Sequence, residues 1–205
     1  MPLLPGRGRS LYQQVSFPYP YTNVSAFIPG DYYWLVPGIL LAPTFVVLMA
    51  CIHNYAPSQR KVFSQVALSF AVLYTAVIMI NYFLQFTVVI PSLQSGQTAG
   101  LSLFTQYNPH GIFIVLEALG YLILSTALIF AAPVFSGGRP QGIVRWLFVS
   151  GFVVTVLSFV GLPLMGYDIV AFEVTVLLTN WIVLIVSGAL LAVVFRRAAK
   201  VAPVN

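Results

Sequence analysis

Glu117 is the residue whose type and place most invite chemistry. It lies in the run HGIFIVLEALGYLILSTALIF, seven residues after His110 and four before Tyr121. An ionisable group inside a membrane span costs roughly 2.5–3.5 kcal/mol on insertion scales, so it needs a reason to be there. A second set, Glu173, Asn180 and Ser187, recurs every seven residues, and a drift of about 20° per step leaves all three on one helical face. Tyr74, Asn81 and Gln85 form a third set with helical spacing.

A carboxyl at such depth has three chemical uses. It can hold a proton or cation, or work as an acid or base with Glu173. It can also fix helix packing as a neutral acid bonded to Asn81, Gln85 or Tyr121. A metal centre built from His110, Glu117, Asp168 and Glu173 is disfavoured, because the His-x6-Glu spacing separates the first two by about 10 Å along a helix. Haem is disfavoured too, since His53 and His110 fall at opposite ends of their runs. There is no nucleophile–base set and no phosphate-binding glycine loop. A single cysteine, Cys51, excludes an intrachain disulfide and a cysteine metal site, and it is expected as a small buried hydrophobe. The reading therefore assigns no catalytic residue, no metal and no cofactor, and leans away from an enzyme.

The elements that must position these residues are membrane spans. Of 205 residues, 60% are hydrophobic and 6% charged, against about 25% charged in soluble domains. Apolar runs over about 32–55, 62–90, 110–135, 143–165 and 169–195 predict an all-α integral membrane protein, a bundle of five transmembrane helices within residues 31–205. Pro37 and Pro43 should bend the first span, Pro91 should end the second, and FSGGRPQG should delay the fourth. The last two spans, joined by a GYD turn, should form an antiparallel hairpin.

Nine Lys and Arg against four Asp and Glu give +5, but the cations sit at span ends and form no stripe, which argues against nucleic acid and for lipid headgroups. Arg60, Lys61, Arg139, Arg145, Arg196, Arg197 and Lys200 all fall on one side of the five-span topology. Arg7 and Arg9 lie in the N-terminal tail, too far from a span to weigh. The N-terminus is therefore expected outside, with a tail over residues 1–30, and the C-terminus in the cytoplasm. This orientation puts Glu117, Glu173, Asn81 and Gln85 in the outer half, with His110 and Asp168 at its rim. The 92–109 loop lies on the same side and is read as a cover, with Leu101, Leu103 and Phe104 able to dock or to lie on headgroups.

The segments NYFLQFTVVIPSL, LFTQYNPHGIFIVLEALGYL, FAAPVF and WIVLIVSGALLAVVFRR resemble a group of uncharacterised small bacterial multi-pass membrane proteins. The most specific element is Tyr107-Asn108-Pro109-His110-Gly111 leading to Glu117. The resemblance implies the bacterial inner membrane and no activity, ligand or site residue.

The leading expectation is a non-enzymatic membrane protein. It would bind an apolar or amphiphilic small molecule, a lipid or a membrane partner subunit in an outward-facing pocket around Glu117. The candidate site residues are Glu117, Asn81, Gln85, Tyr121, Glu173, Asn180 and His110. The alternative is a small oligomeric transporter or channel with Glu117 as its proton or cation site. A membrane enzyme using a carboxylate pair stands third.

Overall fold

The computed structural model describes residues 22, 28–164 and 169–201, and within these the side chains of 28, 29, 31, 162, 163, 169, 170, 173 and 201 are outside the description. The expected tail over 1–30 therefore lies almost wholly outside the described residues. The described chain is all helix and connection, without strands. Its helices are α1 (Ile28–Tyr55), α2 (Lys61–Leu84), α3 (Ile90–Gln94), α4 (Ile112–Ala131), α5 (Arg139–Leu164) and α6 (Ile169–Val201). Five stretches are long and apolar enough to cross a membrane, as expected of a multi-pass membrane protein.

Two proline expectations are corrected. The second span does not end at Pro91, because a π-helical turn over Gln85–Val89 leads into α3, which contains Pro91. Pro91 lacks an N–H and its ring crowds the carbonyl four residues back, so a widened turn just before it lets the helix continue. The fourth span starts at Arg139, earlier than expected, with Pro140 in its first turn. There the missing N–H costs nothing and the fixed φ suits a helix start.

The chain divides into two compact units. One comprises the described residues of Met1–Thr44 with Thr75–Gly120, and the other Phe45–Tyr74 with Tyr121–Asn205. In the first unit α1 packs on α2 through Gly38, where a Cβ would stand 2.1 Å from Tyr82 Cε2. Nearby, Thr75 Oγ1 donates to the Ala42 carbonyl at 2.8 Å. Trp34 meets the Tyr82 ring edge-on at 5.5 Å, and Tyr82 stacks on Phe113 of α4 at 5.6 Å. Residues 95–111 close this unit, with Gly96 and Gly100 at φ 72° and 75°, left-handed values that glycine adopts without strain.

In the second unit α5 and α6 run antiparallel. Phe159 meets Phe172 at 4.9 Å, Asn180 reaches Thr155, and a Cβ on Gly151 would touch Val183. The expected hairpin partners are thus in place, although the GYD turn itself lies outside the described residues. Phe45 packs edge-on against Tyr74 at 5.3 Å, and Phe70 stacks on Phe130 at 5.7 Å.

Burial along α1 and α2 follows a 3–4 alternation. Leu35, Ala42, Phe45, Met49 and Ile52 are buried on α1, with Ala56 just past its end, and Ser64, Ala67, Ala71, Tyr74, Ile78 and Asn81 on α2, with Gln85 in the π-turn that follows. Such 3–4 spacing keeps one stripe of each helix covered. The other faces present Leu40, Val47, Val72 and Ile80, each more than half exposed, which suits a lipid surround. Cys51, expected as a small buried hydrophobe, is exposed. The helix is apolar all round, so composition could not show which face is covered.

Candidate functional site

The residues singled out in the first unit are Asn81, Gln85, Glu117 and His110. Asn81 on α2 and Gln85 at the start of the π-turn that continues it stand one turn apart, both 2% exposed. Asn81 Nδ2 donates to the Phe113 carbonyl of α4 at 3.0 Å, and Gln85 Nε2 donates to the Phe104 carbonyl at 2.7 Å. Both amides thus hold main chain of another segment. A loop carbonyl such as that of Phe104 needs a partner when buried, and the Phe113 carbonyl, near the start of α4, can accept from Asn81 with its second lone pair.

Glu117 sits on α4 one turn below Phe113 and is 8% exposed. Its partner is neither Asn81 nor Gln85. Tyr82 Oη donates to Glu117 Oε1 at 2.6 Å. Tyr82 was missed because a tyrosine near a span end reads as an interfacial ring. The available signal was its place beside Asn81 and three residues before Gln85, which widens the polar face of α2 at that level. Gly38 leaves room for the ring and Phe113 stacks on it, so the hydroxyl is aimed at Glu117 by packing on both sides.

The covering loop is held by its own polar groups as well. Asn108 Nδ2 donates to the Ser102 carbonyl at 2.8 Å, and Asn108 Oδ1 accepts the His110 N–H at 3.0 Å. Gly111 is required beside them, since a Cβ would stand 2.9 Å from the Leu103 carbonyl. The three apolar loop residues divide: Leu101 is buried, whereas Leu103 and Phe104 are exposed. His110 is exposed too.

The remaining candidates belong to the second unit. Tyr121 is buried, and its hydroxyl accepts from Trp181 Nε1 at 2.8 Å. Asn180, fully buried, donates to Thr155 Oγ1 at 3.0 Å and to the Val176 carbonyl at 2.8 Å, while its Oδ1 has no partner among the described residues. The Glu173 side chain and the whole of Asp168 lie outside the described residues. Among the described residues no three His, Cys, Asp or Glu side chains gather as metal ligands. His53 Nδ1 instead pairs with Ser64 Oγ at 2.9 Å.

Two basic residues have structural partners. Lys61 donates to the carbonyls of His53 and Asn54 at the end of α1, and Arg60 to the Pro133 carbonyl. Cations at such termini satisfy orphan carbonyls and complement the helix dipole.

The described residues form an all-helical multi-pass membrane protein with a buried tyrosine–carboxyl pair, Tyr82 and Glu117, in its first unit. No family model, no curated protein and no solved structure matches this chain.

Proposed function

We propose that this is a non-enzymatic membrane protein of the bacterial inner membrane. In this reading it receives an amphiphilic small molecule or lipid at the loop-covered end, and Glu117 is the polar recognition group. One observation carries it. Among the described residues Glu117 has a single hydrogen-bond partner, Tyr82, while a carboxyl offers acceptor capacity for several. Its neighbours Asn81 and Gln85 are already engaged with main chain. A headgroup bearing an N–H or O–H donor would complete the set. The alternative of conduction is less well supported, because the hydroxyls that could extend a polar route, Ser69, Ser125 and Ser187, each donate into their own helix.

The experiment is labelling with dicyclohexylcarbodiimide, a hydrophobic reagent that reacts with carboxyls reached from lipid. Glu117 should be modified in native membranes, and dodecylamine should slow the reaction where dodecane does not. Labelling only after denaturation would leave Glu117 a packing element. Proton or cation flux in proteoliposomes that disappears in Glu117→Gln would make the protein a transporter.

The orientation belongs to the same proposal: N-terminus outside, C-terminus in the cytoplasm, from the one-sided cations. In a Cys51→Ser background an impermeant thiol reagent added outside should modify Ser95→Cys and spare Ser136→Cys, both of which are exposed positions. The reverse pattern inverts the topology.

A further inference from the structure

In the second unit, the end of α1, the start of α5 and the last turns of α6 border an open cleft of about 340 Å³ lined by Tyr55, Gly138, Pro140, Gln141, Val194, Arg197 and Ala198. That is room for roughly ten waters, at the small end of ligand sites. It lies where apolar helix gives way to Arg196, Arg197 and Lys200, the depth of a headgroup layer.

The polar groups bordering this cleft differ in what they leave free. The N–H groups of Gln141 and Gly142 return to the Gly138 carbonyl at 3.0 and 3.2 Å. Gln141 Oε1 accepts from the Gly137 N–H, and Gln141 Nε2 donates to Tyr55 Oη, both at 2.9 Å. Tyr55 is held by Phe135 at 6.2 Å and Phe195 at 5.4 Å. Its hydroxyl has accepted one bond and still has a proton to give. The Arg197 guanidinium has no partner among the described residues, unlike Arg60 and Lys61. The side-chain groups left over are therefore donors, one of them cationic.

Among the described residues no carboxylate lies in the lining to meet them. The acidic side chains are Asp31, Glu117, Asp168 and Glu173, and Glu173 stands on α6 about 30 Å along the axis from Val194 at 1.5 Å per residue. A bilayer supplies phosphates at this depth, acceptors of the charge and geometry that these two donors call for. We infer that this cleft is a binding site for the phosphate of an anionic phospholipid. Arg197 grips the phosphate with its fork of N–H groups, Tyr55 donates a further bond, and Val194, Pro140 and Ala198 flank the glycerol. The site is independent of the Glu117 reading.

The test is native mass spectrometry of the full chain released from detergent containing phosphatidylglycerol or phosphatidylcholine. The wild type should retain phosphatidylglycerol selectively. Arg197→Gln should weaken retention about tenfold and Tyr55→Phe by a smaller factor, while Arg197→Lys keeps part of it. Arg145→Gln, an exposed position outside the lining, should leave retention unchanged. Unliganded melting of Arg197→Gln in detergent should match the wild type, which separates loss of binding from loss of fold. Equal losses in Arg197→Gln and Arg145→Gln would reduce the effect to diffuse charge, and equal retention of both lipids would remove the site. Displacement of phosphatidylglycerol by millimolar inorganic phosphate would make the ligand a free anion and overturn the lipid assignment.

Discussion

Around Glu117, polar side chains bond from one segment to another. Asn81 reaches α4, Gln85 reaches the covering loop, and Tyr82 meets Glu117. Along α5 and α6, Ser158 and Ser187 instead turn back to carbonyls of their own helices, and Asn180 with Thr155 supplies a side-chain bond across the pair. The difference teaches what each region relies on. In lipid there is little hydrophobic drive between helices, so register is set by close packing and by interhelical hydrogen bonds. The first region uses several directional bonds and two tight glycine contacts, at Gly38 and Gly111, so it tolerates little displacement. The α5–α6 seam relies mainly on side-chain fit, with Phe159 against Phe172 and Gly151 under Val183, while Trp181 and Gln141 bond outward to Tyr121 and Tyr55, and the seam should absorb small changes more easily.

The largest expected effect comes from Gly38→Ala. The added methyl meets a ring that Phe113 prevents from retreating, so overpacking should cost about 1–3 kcal/mol and displace the Tyr82 hydroxyl from Glu117. Melting in detergent should fall clearly, and restoration by the second change Tyr82→Leu would identify the ring as the cause. An unchanged melting temperature would show that the first region is as compliant as the second.

An intermediate effect sharpens the comparison at single bonds. Gln85→Ala removes the buried tie to Phe104 and should cost about 1–2 kcal/mol, with hydrogen exchange rising across 101–111 and little elsewhere. Thr155→Val on the α5–α6 seam should cost only about 0.6 kcal/mol, the average for such bonds in a membrane. If the two losses come out equal, the contrast between cross-segment and seam bonds fails. The smallest effect is expected for Gly188→Ala on α6, where nothing lies within 4 Å of the new Cβ. The change should be neutral or raise stability by up to about 1 kcal/mol through helix propensity. A loss there would point to a neighbour that the chain alone does not supply.

Much of the architecture was legible in the residues. Five apolar runs, interrupted by Pro, Gly and cationic ends, correspond to five candidate spans, because hydrocarbon thickness dictates helix length whatever the neighbours do. The boundaries were less legible at Pro91 and Pro140, since a proline stops a helix only where its missing N–H and its ring are not accommodated. The buried face of α2 was partly legible, because Tyr74, Asn81 and Gln85 mark it against an apolar background. The face of α1 was not, and Cys51 was placed on the wrong side.

The sequence by itself determined the solvent of this protein, the number of spans and which side chains must avoid lipid. These follow from composition and local periodicity, and desolvation penalises a charge or amide in hydrocarbon wherever it occurs. Tertiary structure alone decided who partners whom. It gave Glu117 the hydroxyl of Tyr82 in place of an amide, turned Asn81 and Gln85 to main-chain carbonyls, and left Arg197 unpaired beside a cleft while Arg60 and Lys61 cap helix ends. A helix surface offers every polar group several partners at similar spacing. Only the packing around residues such as Gly38 and Phe113 selects among them.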